Sequence, residues 1–242
     1  MSGDSSTIFD VQFLLATFPK VMPYFPITLL IVAVSFVFGV LIGFVCALVK
    51  AYRIPVLTQI GDLYVSFIRG TPLLVQLYLI YFGIPIAIRL WNANFGTSIP
   101  VQGIPPLLSV LVAYSLNEGA YQRETIRGAI ESVDAGQIEA GTSMGFSRWQ
   151  TMHRIVLPEA LRIAAPNLGN SLLKLLKNTS LAFTVSVVDI MAQAKIIGSQ
   201  GYRYFEVYIA LAVIYWISSI IVSFLIRLLE SQLNRHRRQA LG

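Results

Sequence analysis

Apolar residues in this chain come in long runs, broken by a few compact polar islands. Residues 26–49 carry no charge and meet the roughly 20 apolar residues that a bilayer-crossing helix needs; Lys50 and Arg53 end the run. Within it, Gly39 and Gly43 place two small residues on one face, which permits close helix contact. The pattern predicts a second span over about 60–83, interrupted by Arg69-Gly70-Thr71-Pro72. Proline lacks an amide donor and glycine tolerates a bend, so a kink is expected there. Residues 84–104, with several Pro and Gly besides Trp91 and Phe95, read as a loop at an outer interface. A third span over about 105–126 holds Asn117, Glu118 and Glu124, so it faces a protein interior or an aqueous path. A fourth, polar-interrupted span covers about 161–182. Residues 183–204 form a mixed segment that dips into or lies along the membrane, and a last span over 206–227 carries the aromatic anchor Tyr215-Trp216.

These elements make an all-α polytopic membrane protein with five transmembrane helices. One transmembrane domain occupies 23–229, with a cytoplasmic loop at about 127–160. A segment over 1–22 precedes it and a basic tail over 230–242 follows. Residues 8–18 can form an amphipathic helix on the membrane surface, or pack against the first span. Asp4 and Asp10 sit where a signal peptide would carry basic residues, so no cleavable signal is expected.

The most soluble-looking stretch is 137–160. It begins as a short helix with the small residues Ala140, Gly141 and Ser143, turns at Gly145, and restarts at Ser147, whose hydroxyl can cap the next helix. It then runs apolar to Leu157-Pro158, which is expected to re-aim the chain. A helix–Gly–helix knuckle between membrane segments is a shape suited to docking.

Composition agrees with the pattern. The chain is 55% hydrophobic and 12% charged, about half the charged fraction of a soluble domain, with a mean hydropathy of +0.68. Its net charge of +6 reports topology first, and nucleic acid is not an expected partner. An outside N-terminus puts Lys50, Arg53, Arg123, Arg127, Arg148, Arg154, Arg162, Arg227, Arg235, Arg237 and Arg238 inside, against Lys20, Arg89, Lys195 and Arg203 outside. That asymmetry predicts N-out and C-in, with the knuckle in the cytoplasm. The single cysteine, Cys46, lies inside an apolar run as a small packing residue.

Catalytic equipment is absent from the sequence. There is no G-x-x-x-x-G-K-[ST] loop, so ATP is not bound by that device. The only histidines, His153 and His236, have no metal-ligand cluster and no nucleophile beside them. No cofactor or metal site is expected. What the spans do carry is polarity. Tyr114, Asn117, Tyr121 and Glu124, spaced 3, 4 and 3, share one face of the third span. Asn167, Asn170 or Ser171, Lys174, and Lys177 or Asn178 form a second stripe on the fourth. Such groups must be satisfied inside a membrane, by each other or by a solute. Amides, hydroxyls and a lysine suit a carboxylate, and Glu118 or Glu124 suits an ammonium, so a zwitterionic solute fits a path between the stripes. A passive channel or an ion-coupled carrier would use the same stripes.

The chain resembles the transmembrane permease subunit of bacterial ABC importers for polar amino acids. Its signature loop, Glu-Ala-Ala-x-x-x-Gly followed by Leu-Pro, matches Glu139-Ala140-Gly141, Gly145 and Leu157-Pro158, with Gly141 replacing the second alanine. Phe67-Ile-Arg-Gly-Thr-Pro-Leu-Leu-Val-Gln76, Gly119-Ala-Tyr-Gln-Arg-Glu124 with Arg127-Gly128, Gly136-Gln137, and Leu176-Lys-Asn-Thr-Ser-Leu181 match the amino-acid branch, so the resemblance covers about 60–215. It implies the type I importer permease fold in the bacterial cytoplasmic membrane. It also implies a dimer of permeases (identical or not), two copies of an ATP-binding subunit that hold ATP and Mg, and an extracytoplasmic amino-acid-binding protein. Gln137, Glu139, Ala140, Gly141 and Gly145 become the ATPase-coupling residues; Asn117, Glu118, Tyr121, Glu124, Asn170, Ser171 and Lys174 become the substrate path. The residues around Asn117, Asn170 and Leu181 look most like cystine permeases. Ser171 stands where importers for cationic amino acids tend to carry an acid, so cystine is expected first, with glutamine or glutamate behind it.

Overall fold

The computed structural model describes residues 9–101 and 104–240, with side chains as far as Gln232. Residues 1–8 and the arginine side chains of the basic tail lie outside the described residues. Ten α-helices follow one another in the described residues: α1 (Val11–Val21), α2 (Phe25–Ala51), α3 (Pro55–Gly70), α4 (Leu73–Phe95), α5 (Pro106–Glu131), α6 (Ala135–Ser143), α7 (Arg148–Thr151), α8 (Leu157–Asn178), α9 (Ile190–Gly201) and α10 (Tyr204–Ala240). Among them, three stretches are long and apolar enough to cross a membrane: Val11–Ala51, Leu73–Phe95 and Tyr204–Gln232. A fourth is a bent pair, Arg148–Val185 with Ile190–Gly201, broken at 56°.

The centre of the structure is α5. It is too polar to pass as a span by hydropathy, yet it is the most buried helix: Tyr114, Asn117, Glu118, Gln122 and Arg123 are all buried. Burial of so many polar groups requires close neighbours, and the glycines provide them. A Cβ on Gly39 would lie 2.5 Å from Cβ of Glu118, and one on Gly43 would lie 2.7 Å from the backbone nitrogen of Arg123. Gly119 answers from α5, where a Cβ would meet Ile42 at 2.7 Å. The small-residue face expected on the first span is therefore the seam between α2 and α5.

The second span differs from its expected limits. Thr71 and Pro72 are both extended, so 60–83 is not one kinked helix but two helices. α4 then continues through Pro85 to Phe95 and stops at Gly96, which has φ +64°. Most of the expected 84–104 loop is helical. Its apolar residues, Ile84, Ile86, Ile88 and Leu90, extend the hydropathic run, and an internal proline is tolerated where neighbours cover the freed carbonyl. With 16 residues, α3 is about 24 Å long and too short to cross.

Pro158 does not re-aim the chain either. α7, a π-helical turn over Met152–Val156, and α8 form one continuous rod. In the wide turn the Leu157 amide donates to the Met152 carbonyl, five residues back. The turn accommodates a residue that has no amide to give and whose ring would clash in a tighter one. The rod starts well before the expected 161 and continues as a 3-10 helix, Thr179–Val185, to a left-handed Ser186. The mixed segment resolves into that bend and α9.

α1 does pack inside the protein, although not on the first span. Phe13, Phe18 and Val21 join Ile190, Ile197, Val207 and Leu211 of α9 and α10. Asp10 caps α1 by accepting from the Phe13 amide at 2.9 Å, and its own amide donates to Glu206 Oε1 at 3.1 Å. Arg203 donates to the same oxygen at 2.8 Å. The opposite face of α1, with Val11 and Leu15, is exposed and apolar.

Candidate functional site

The knuckle is built by two consecutive caps. α6 ends in a paired arrangement: the Phe146 amide donates to the Gly141 carbonyl at 3.1 Å, and the Gly145 amide to the Thr142 carbonyl at 3.0 Å. This closure needs a left-handed residue just past the helix end, and Gly145 has φ +81°. Ser147 then caps α7, accepting from the Gln150 amide at 3.3 Å while its own amide donates to Gln150 Oε1 at 2.8 Å. The expected Ser147 cap is thus half of a reciprocal pair. Between the caps, Gly141 is buried: a Cβ there would lie 2.6 Å from Ile155 Cδ1. Gln137, Glu139, Ala140 and Gly145 are exposed, as are the apolar Met144 and Trp149. Trp149 stacks on His153 and on Tyr52, which fixes the knuckle at the same end of the molecule as the α2–α3 turn.

That end also holds a charge cluster. Asp62 of α3 accepts from Lys50 at 2.6 Å and from the buried Arg123. The two cations hold its carboxyl below the usual carboxylate range.

The polar stripes of α5 and α8 meet at two places: the Tyr114 hydroxyl donates to the Asn178 carbonyl at 2.7 Å, and Tyr121 faces Lys174. Lys174 Nζ lies 3.9 Å from the centroid of the Tyr121 ring, and Arg69 Cζ lies 5.7 Å from it. Two cations on one aromatic ring make a positive site with an apolar floor. Glu124, one turn along, lies 3.9 Å from Arg69 and is held by Arg123 at 3.3 Å and Arg127 at 3.0 Å. Three guanidinium groups therefore share that carboxylate. Glu118 is off the stripe: it is buried against α2 and accepts from Gln122 at 3.0 Å. Asn117 is buried and donates to Gln76 Oε1 at 2.8 Å. Asn170 and Lys174 are exposed on α8, and Ser171 is half-buried.

Arg69 and Gln76 enter this constellation without having been picked out as site residues by their own chemistry. Gln76 sits one turn into α4, and the two hydrogens of its Nε2 are shared among three acceptors, the Ile68 carbonyl at 2.7 Å, Thr71 Oγ1 at 2.8 Å and the Thr71 carbonyl at 3.0 Å. A helix break inside a protein leaves free carbonyls that need donors. An amide one turn beyond Thr71-Pro72 was the signal that could have found it.

The sequence profile described as "Binding-protein-dependent transport system inner membrane component" matches residues 39–235. The chain belongs to that family. Among the family's members, the probable amino-acid permease protein YxeN of Bacillus subtilis is 40% identical over 229 residues, covering 95% of this chain and 98% of that protein. The L-cystine transport system permease protein TcyL of Bacillus subtilis is 35% identical, covering 95% and 93%. The nopaline transport system permease protein NocM of Agrobacterium fabrum is 36% identical, covering 96% and 95%. In structure, the chain superposes on a subunit of a crystallised amino acid ABC transporter with a TM-score of 0.80 at 34% identity, covering 93% of this chain and all of that one.

Proposed function

We propose that this chain is the membrane subunit of an ATP-driven importer for a polar amino acid. In this reading α2, α4, α5, the α7–α8 rod and α10 are the five spans, the N-terminus lies outside and the C-terminus in the cytoplasm of a bacterial cell. The knuckle is the coupling helix: Glu139 and Ala140 face a separate ATP-binding subunit, and Gly141 and Gly145 hold its shape. That partner, present twice, binds ATP and Mg and performs the hydrolysis. An extracytoplasmic binding protein delivers the solute to a permease dimer, and closure of the ATPase pair rocks the permeases.

The observation that carries the substrate reading is the pair of cations on Tyr121. Arg69 and Lys174 offer a carboxylate two donors over a ring, whereas Glu124 is already shared by three arginines and Glu118 faces α2. The cluster therefore favours the carboxylate end of an amino acid and disfavours a cationic side chain. L-cystine is placed first, with glutamine or glutamate as the alternative. Cystine has two identical halves, so two clusters related by a two-fold axis can each take one carboxylate.

The test is uptake into vesicles that contain this chain, its ATPase and its binding protein. Lys174→Gln is expected to lower cystine uptake at least about 10-fold, the effect of losing one charge-assisted hydrogen bond. Gly145→Pro, which removes both the amide and the left-handed conformation, is expected to leave ATPase activity and lose transport. Uptake without ATP, or full transport by Gly145→Pro, would overturn the reading, and a preference for arginine or lysine would overturn the substrate.

A further inference from the structure

A cavity of about 540 Å³ lies away from the α5–α8 cluster, where the α2–α3 turn covers the knuckle. Its lining includes Tyr52, Arg53, Thr142, Arg148 and Thr151, and no acidic residue. Neither arginine forms an ion pair among the described residues. Thr151 is 5% exposed, and its hydroxyl has no hydrogen-bond partner among the described residues. A buried hydroxyl without a partner is uncommon.

Arg53 is also held in an unusual backbone. It has φ +54°, with its amide donating to the Lys50 carbonyl at 3.0 Å and the Ile54 amide to the Val49 carbonyl at 3.2 Å. That is the same helix closure that Gly145 makes in the knuckle, and glycine is the usual residue for it. An arginine there gives up the conformational ease of glycine. The position lies two residues beyond Ala51, the last residue of the apolar helix α2, which in the proposed topology sets the cavity near the lipid headgroups.

We infer that this cavity binds a phosphate group between Arg53 and Arg148, with the Thr151 hydroxyl as a further donor. The phosphate is that of an anionic phospholipid or a free phosphate ion. Paired guanidinium groups suit phosphate oxygens in geometry and charge. The inference concerns this chain alone and does not depend on the ATPase or on the transported solute.

The experiment is thermal unfolding of the full chain in lipid nanodiscs. Discs of phosphatidylglycerol are compared with discs of phosphatidylcholine, the latter with and without millimolar inorganic phosphate. The wild type is expected to melt at least about 3 °C higher in phosphatidylglycerol, or in phosphatidylcholine with phosphate, and which arm shifts identifies the source. Arg53→Gly is expected to lose the shift while melting no lower than the wild type in phosphatidylcholine, because glycine relaxes the left-handed turn. Arg148→Gln is expected to lose the shift too, and it tests the site even if Arg53→Gly fails to fold. Arg227→Gln, on an exposed face of α10, controls for general attraction to an anionic surface and is expected to keep the shift. No shift in the wild type, a shift retained by Arg148→Gln, or equal losses in all three variants would overturn the inference.

Discussion

Gly141 shows how a helix propensity can point the wrong way. Alanine in a helix is favoured over glycine by up to about 1 kcal/mol, so Gly141→Ala should stabilise α6 if propensity decides. The structure puts Ile155 Cδ1 2.6 Å from where the new methyl would go, and overpacking of that kind typically costs about 1–3 kcal/mol. Gly141→Ala is therefore expected to lower the melting temperature, and Gly141→Ala with Ile155→Val, which removes the offending methyl, to recover most of it. A double-mutant cycle with no coupling would refute the contact. Asp62 supports a second prediction. Its folded-state pKa is depressed by Lys50 and Arg123, so its contribution is fully present above the unfolded value of about 3.9. It is lost as pH falls through the lower folded value. Thermal melts of wild type and Asp62→Asn should differ at pH 6 and converge in acid below that value; a gap that persists there would refute the assignment.

At the scale of elements, the α3–α4 break is the feature that most needs support. Thr71-Pro72 frees carbonyls, and one side chain, Gln76, covers Ile68 and Thr71 while accepting from Asn117 of α5. Gln76→Leu keeps the size and removes all of these bonds. It is expected to cost on the order of 1–3 kcal/mol, read as a melting temperature several degrees lower, whereas Val75→Leu, on the exposed side of the same helix turn, should change little. Equal effects of the two would show that the bonds contribute nothing. The same break explains why Arg69 lies beside Tyr121: an α3 that ends at Gly70 leaves the arginine in its last turn, where a cation is favourable next to free carbonyls.

Across the whole molecule, what the sequence revealed and what it hid divide along a physical line. Charge-free runs and the Gly39/Gly43 face depend on local composition, and both were legible, as α2 and as a face for close contact; that α5 is what it contacts came from the fold. The knuckle was legible because Gly145 and Ser147 act within a few residues of themselves. The end of the second span was not, since hydropathy cannot distinguish a kinked helix from two helices. The course through Pro158 was hidden because a wide helical turn has no compositional mark. Of the candidate path, helical spacing put Tyr121 and Lys174 on their respective stripes, and the contact between them is supplied by the fold. The diversion of Glu118 toward α2 and the sharing of Glu124 among three arginines depend on azimuth and on α3, which only the fold supplies. Sequence spacing placed the acids on the right helix and could not say which of them were already occupied.

The wide turn at Met152–Val156 has a consequence for how the molecule is indexed. Each residue in a helix advances the side-chain direction by about 100°, and a π-turn holds one residue more than an α-turn. The turn thus sets the azimuth of everything beyond it relative to everything before it: Trp149 against Tyr52 on one side, Lys174 against Tyr121 on the other. Deleting one residue from 152–156 would restore an ordinary helical turn and leave Asn170, Ser171 and Lys174 facing α5, because the extra residue is the one the wide turn absorbs. Deleting one residue between Pro158 and Asn167, where the helix is regular, would instead rotate them by about 100°. The first deletion should fold and keep uptake and the second should fold and lose it; equal loss in both would show that angular register is not what the wide turn preserves.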